Sequence, residues 1–272
     1  MAQAGAPAGP AVELPAPYEL AAPGAWSMIE FISDLHLSPA LPKTFDAWAA
    51  YLQDTLADAV FILGDLFEVW VGDDARFRPF EARCVDVLAG AASRLHIGLM
   101  VGNRDFLMGT ALQRDCGAIG LPDPTVLSAW GQRLLLTHGD ALCIDDIDYQ
   151  QFRREVRSSR WQQEFLARSL PERLAIAVQV RSQSQTRHRF DGAAAADIDA
   201  ATAVRWMHSM GTAQMVHGHT HRPGSDMLAP GYKRHVLSDW NLDDAARPRA
   251  EVMRLTRHGL DRVGLGTKRV SP

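Results

Sequence analysis

Three histidines alternate through Met215-Val216-His217-Gly218-His219-Thr220-His221-Arg222-Pro223, directly after the apolar run Ala213–Val216. Successive side chains of an extended chain point to opposite faces, so His219 and His221 share a side. Imidazole is the commonest protein metal ligand, and Gly218 lets the main chain come close to whatever the pair holds. Four stretches upstream end strand-like runs in residues of the same kind. They are Asp34-Leu35-His36 after Ile29–Ser33, Gly64-Asp65 after Ala59–Leu63, Gly102-Asn103-Arg104-Asp105 after Leu95–Val101, and His138-Gly139-Asp140 after Arg133–Thr137. The donors are oxygen and imidazole with no thiolate, a set that suits manganese, iron or zinc better than a thiolate-type structural zinc site. Asp34, His36, Asp65, Asn103, His138, His219 and His221 are too many ligands for one ion. Two ions sharing a carboxylate accommodate them, with Asp65 as the bridge.

These residues need elements to hold them. Phe45, Trp48, Tyr51, Leu52 and Leu56 recur at helical spacing between the first two strand-like runs, and a second helix is expected near Phe80–Ser93. Strands alternating with helices predict a layered α/β fold, central β-sheets flanked by helices, with its site beyond the carboxyl ends of the strands. Asp199 is placed to N-cap a helix running to about Met210, and Tyr232–Leu237 and Ala250–Leu255 read as further strands.

Residues 1–27 are Ala/Pro/Gly-rich without periodicity and read as a disordered, dispensable extension, with Met28 as an alternative start of translation. They lack the basic start and apolar core of a secretory signal. Residues 28–272 read as one domain, into which a helical cap is inserted at about 147–190. Between 150 and 190 nine arginines stand against three glutamates, a net +6 where the whole chain carries −4. Large apolar residues such as Phe152, Trp161 and Phe165 are interleaved with them.

A chain of 272 residues with 47% hydrophobic and 22% charged residues can bury a full core. The net charge of −4 argues against a generally basic nucleic-acid binder, and no nucleic-acid partner is expected. Cys84, Cys116 and Cys143 form no CxxC pair and read as reduced thiols. No stretch is long and apolar enough to span a bilayer.

Taken in order, D-x-H, G-D, G-N-R-D, H-G-D and G-H-x-H resemble the calcineurin-like binuclear metallophosphoesterases, over roughly residues 29–223. The resemblance implies a metallophosphoesterase fold and two divalent ions. Asp34, His36, Asp65 and His221 would hold one ion; Asp65, Asn103, His138 and His219 would hold the other. Most of that superfamily has a histidine after the motif's asparagine, usable as a proton donor; here the place is taken by Arg104. Arginine stays protonated, so it grips phosphate and stabilises developing charge without titrating. A leaving group that needs little protonation, such as one half of a diphosphate, tolerates that exchange. The bland alternative is a structural ion pair between Arg104 and Asp105.

The GNRD variant, GDLFEVWVGDD (64–74), HGDALCIDD (138–146) and HGHTHRP (217–223) resemble a narrower family, the UDP-2,3-diacylglucosamine diphosphatases of lipid A biosynthesis. That family hydrolyses its substrate at the α-phosphate to UMP and 2,3-diacylglucosamine 1-phosphate, usually with manganese, and holds the acyl chains in a helical cap. The resemblance makes Arg104 and Asp65 catalytic, and gives Asn103, Arg104, Asp146, Ser184, His188 and His219 to the lipid-linked nucleotide substrate. Where the family often has Asn and Lys after that serine, this chain has His188 and Asp191, and the lysine's role is not carried over. It also implies a cytoplasmic protein, peripheral on the anionic cytoplasmic face of the inner membrane through the cap. Two other readings stand beside it: a binuclear phosphoesterase of a soluble nucleotide or phosphoester, and a non-enzymatic binder of phosphate or lipid.

Overall fold

The computed structural model describes the backbone of residues 14–190 and 197–265, and the side chains of the same residues except 183–190. Strand β1 (Tyr18–Ala21) lies inside the segment expected to be disordered, and it corrects that expectation for the residues described. It pairs in parallel with β6 (Thr125–Ala129), Tyr18 opposite Thr125 through Ala21 opposite Ser128. Ladder partners from β6 supply what the composition of the segment hides.

Strands β2 (Ile29–Ile32), β3 (Ala59–Leu63) and β4 (His96–Met100) run parallel, joined by α1 (Pro42–Asp54) and α2 (Pro79–Ala92). With β5 (Ile119–Leu121), β11 (Glu251–Thr256) and β12 (Gly259–Gly264) they form a sheet ordered β12-β11-β2-β3-β4-β5. The second sheet is β1-β6-β7-β8-β10-β9, adding β7 (Gln132–Thr137), β8 (Gln214–His217), β9 (Gly224–Ala229) and β10 (Tyr232–Val236). Alternation along the strands separates three apolar layers. Phe31, Phe61, Leu134, Leu136 and Val216 fill the space between the sheets. Ile32, Val60 and Ile62 face the other way, onto Trp48, Leu52 and Leu88 of the helices. On the far side, Leu135 and Met215 meet Trp206 and Met207 of α7 (Ala200–Ser209). Strands buried on both faces read as continuous apolar runs, which is why these were visible in the sequence.

The helical character of 147–190 resolves into α4 (Ile147–Val156), α5 (Ser159–Leu166) and α6 (Leu170–Phe190). Trp161 and Phe165 stack at 4.6 Å and 13°, and Phe165, only 6% exposed, belongs to the same core as Leu107 and Met108. Arg173 reaches from α6 to Asp74 and to the Val71 carbonyl, fastening the cap to the body.

Candidate metal centre

Every expected ligand stands just past the carboxyl end of a strand: Asp34 and His36 after β2, Asp65 after β3, Asn103 after β4, His138 after β7, and His219 and His221 after β8. The backbone there is unusual. Among the described residues, six non-glycines have a left-handed φ, and five of them are Asp34, His36, Asp65, His219 and His221, with φ between 50° and 67°. Side-chain-bearing residues pay sterically for this region and persist in it where the surroundings over-determine them. Two glycines make room. A Cβ on Gly102 would lie 2.5 Å from the Asp65 amide nitrogen and collide with its carboxylate, and one on Gly218 would strike Asp34 and Ser33.

The structure brings all seven side chains together. His36 Nε2 and His221 Nε2 approach to 3.2 Å, and His221 Nε2 lies 3.3 Å from Asp34 Oδ1. Asp65 stands between the two halves, with Oδ2 4.0 Å from His36 Nδ1 and Oδ1 3.8 Å from His138 Nε2. Asn103 Oδ1 lies 3.0 Å from His138 Nε2 and 2.9 Å from His219 Nδ1. Asp34 shares one compact donor group with His36 and His221, and another with Asp65 and His138.

These donors fit cations better than they fit one another. His138 Nδ1 sits 2.9 Å from the Leu63 carbonyl, which can only accept, so Nδ1 carries a proton and Nε2 is the nitrogen turned toward Asn103. Burial lowers the ring, but Asp65, Asp34 and Asp140 raise it to about 9, the mark of a position that wants positive charge. The Asn103 amide meets both rings: turned nitrogen-inward it donates to His138 Nε2, His219 Nδ1 and Asp65, with its oxygen toward Arg104 Nε, and turned oxygen-inward it completes an oxygen and imidazole set that would hold a cation. Burial takes His36 and His219 down to about 3, so both stay neutral, as ligands must. Burial works against the Asp34 carboxylate, yet the His221 hydrogen bond and the neighbouring imidazoles hold it below the usual range. Asp65 is raised, by burial and by Asp105 and Asp34 against the pull of His138. The pocket is short of positive charge.

Arg104 does not pair with Asp105, which removes the bland alternative. The buried Asp105 carboxylate accepts backbone N–H bonds from Gly102 (2.7 Å), Leu66 (2.8 Å), Asp65 and Phe67 (both 3.3 Å), tying two ligand loops together. The Arg104 guanidinium instead stands at the mouth, 3.9 Å from Asp65 Oδ2 and 4.0 Å from Glu68 Oε2. Glu68 went unnoticed in the sequence. It lies 3.5 Å from His36 Nδ1 and forms an ion pair with Arg181 of α6. Asp73, in the run 64–74, receives the amides of Gly109, Ala111 and Leu112 at the start of α3 (Thr110–Cys116). Asp146 caps α4 by accepting from Tyr149 N at 3.0 Å. The side chains of Ser184 and His188, and all of Asp191, lie outside the described residues.

The sequence profile of the calcineurin-like phosphoesterases matches residues 29–223, a span that opens with β2 and includes all seven donors. The chain belongs to that family. This phosphoesterase is 42% identical over 235 residues to a UDP-2,3-diacylglucosamine hydrolase of Bordetella pertussis, covering 84% of this chain and 91% of that protein. It is 44% identical over 217 residues to a protein of the same name from Chromobacterium violaceum, covering 78% and 90%. Among solved structures it is similar to a phosphoesterase of E. coli at 17% identity and a TM-score of 0.43, covering 90% of this chain and 97% of that one.

Proposed function

We propose that this phosphoesterase hydrolyses the diphosphate of UDP-2,3-diacylglucosamine, water attacking the α-phosphate to give UMP and 2,3-diacylglucosamine 1-phosphate. The observation that carries the reading is identity of 42% to a hydrolase of that name across 84% of the chain. The converging donors with Arg104 at their mouth support it.

Asp34, His36, Asp65 and His221 hold one ion in this reading, and Asp65, Asn103, His138 and His219 the other, with manganese as the metal. Two bound ions supply a water of lowered pKa and positive charge for the attacking and leaving oxygens. Arg104 keeps its charge throughout, so its part is to grip the phosphoryl oxygens and stabilise charge as it develops. Asn103 and His219 would flank the same oxygens, and the family resemblance gives Asp146, Ser184 and His188 to the rest of the substrate.

The cap takes the acyl chains and seats the protein on an anionic cytoplasmic leaflet. Among the described residues no helix is long and apolar enough to cross a membrane. Ile147 (72% exposed) and Val178 (68%) offer apolar contact, and Arg154, Arg160 and Arg168 are exposed beside their helices. Arg157, one of the nine arginines between 150 and 190, is turned instead to Asp140 and the Gly102 carbonyl. Phe165 likewise belongs to the packed core. UMP release from UDP-2,3-diacylglucosamine with and without manganese tests the reaction. Efficient turnover of soluble diphosphates with indifference to acyl chains would favour the soluble-substrate reading. Sedimentation with anionic vesicles at low salt, weakened when Arg154, Arg160 and Arg168 become Gln, tests the docking.

A further inference from the structure

Asp140 is fully buried, and a single carboxylate oxygen of it, Oδ2, accepts three hydrogen bonds. They come from Tyr149 Oη at 2.6 Å, Arg153 Nε at 2.8 Å and Arg157 Nη2 at 3.2 Å. The donors recur every four residues on α4 and its C-terminal cap, the spacing that lines up one helix face. Gln150 extends the same attachment, donating to the carbonyls of Asp140 (2.7 Å) and Cys143 (3.1 Å). Two guanidinium groups offset the buried negative charge, and breaking such a group on one side leaves the remainder uncompensated.

The first and last donors each touch the metal centre as well. Arg157 Nη2 also donates to the Gly102 carbonyl at 2.9 Å, and the Gly102 N–H is held by Asp105 at 2.7 Å. Gly102, the residue before Asn103, is thus held at both its N–H and its C=O. The Tyr149 ring stacks on His219 with centroids 6.0 Å apart and 28° between planes. His219 Nδ1 lies 2.9 Å from the Asn103 side chain, so one contact ends on a ligand and the other on the residue just before that ligand's neighbour in the site.

The geometry points to Asp140 as a positioning residue that, through Arg157 and Tyr149, places Asn103 and His219 only while cap helix α4 is seated. Ion affinity at that half of the centre is then coupled to the cap. The inference rests on the two-metal reading and goes beyond it, since no ligand motif requires α4.

Metal-stripped full-length protein titrated with Mn²⁺, the free ion followed by electron paramagnetic resonance, separates this role from mere stability. Partners one shell out from a metal typically change its affinity 10–100-fold, so Asp140→Asn is expected to weaken one of two ions by about that factor. Arg157→Gln, which cuts the link to Gly102, is expected to weaken it by about tenfold. Arg173→Gln breaks the other cap fastening, to Asp74, and is expected to lower Tm while leaving both affinities unchanged. Unchanged Mn²⁺ affinity in Asp140→Asn and Arg157→Gln would overturn the inference, as would equal weakening by Arg173→Gln. Should Asp140→Asn not fold, Arg157→Gln decides alone. A wild-type protein that took up no Mn²⁺ would overturn the metal reading along with it.

Discussion

Replacing Arg104 by alanine removes a guanidinium whose structural and chemical consequences separate cleanly. Its side chain is 33% exposed and stands 3.9–4.0 Å from the Asp65 and Glu68 carboxylates, beyond hydrogen-bond reach. Ion pairs of that exposure contribute about 0–1 kcal/mol, and each kcal/mol moves the Tm of a domain this size by about 2–4 °C. The backbone N–H of residue 104, which donates to Asp65 Oδ1 at 2.8 Å, survives the substitution. Stability should therefore fall by less than about 4 °C, with metal content normal. A fixed donor aimed at developing charge, by contrast, accounts for about 10²–10³ in kcat, or roughly 3–4 kcal/mol. The expected result is a kcat for UMP release at saturating manganese reduced by about 10²-fold or more, beside a nearly unchanged melting curve. Arg104→His restores the superfamily's commoner residue without the planar two-pronged grip, so little rescue is expected. A kcat within about threefold of wild type would refute the reasoning. So would a large loss of Tm, which would make Arg104 a structural residue.

Asp65→Ala is expected to take metal content from two ions to none and to abolish turnover, while His208→Ala, whose ring meets Tyr232 Oη away from the seven donors, changes neither; one retained ion would rule out a shared carboxylate. His235 is buried, bonded to Ser225 and Gln214, and held down to about 4 by burial and by the charges of Lys233 and Arg262. Its folded pKa lies below the unfolded 6.5, so the stability it contributes is present above pH 6.5 and lost as pH falls toward 4. Melting curves of wild type and His235→Gln should converge across that window; a constant difference between them counts against it. A chain beginning at Met28 loses β1 and the Trp26 ring that packs 5.1 Å from His96, leaving the β6 edge bare. It should melt several degrees lower with normal metal content, whereas an identical Tm would make the segment dispensable after all.

All seven donors were legible because each closes an apolar run, and parallel strands buried on both faces make such runs conspicuous. α1 and α2 were legible for a similar reason, through apolar residues three and four apart. Leu56 misled, since Thr55 already leaves the helical region and Leu56 stands exposed. Strand β1 was hidden because four residues in an Ala/Pro-rich segment carry no period of their own; only β6 makes them a strand. The roles of Asp73, Asp105 and Asp140 were hidden for a different reason. A carboxylate that collects amides or guanidinium groups from distant segments has no local signature, and its partners are set by the packing of loops.

Four of the donors, Asp34, His36, Asp65 and Asn103, come from one sheet, and His138, His219 and His221 come from the other. In the assignment proposed above, neither sheet completes an ion's ligand set alone. The ions are rivets through a seam. A molecule whose sheets had slipped past each other by one residue would keep every donor and lose both sites, so a partly assembled chain is silent instead of indiscriminate. Metal that binds only the aligned state also favours that state by mass action. A chelator should therefore do more than stop turnover: it loosens the join between the two halves of the protein.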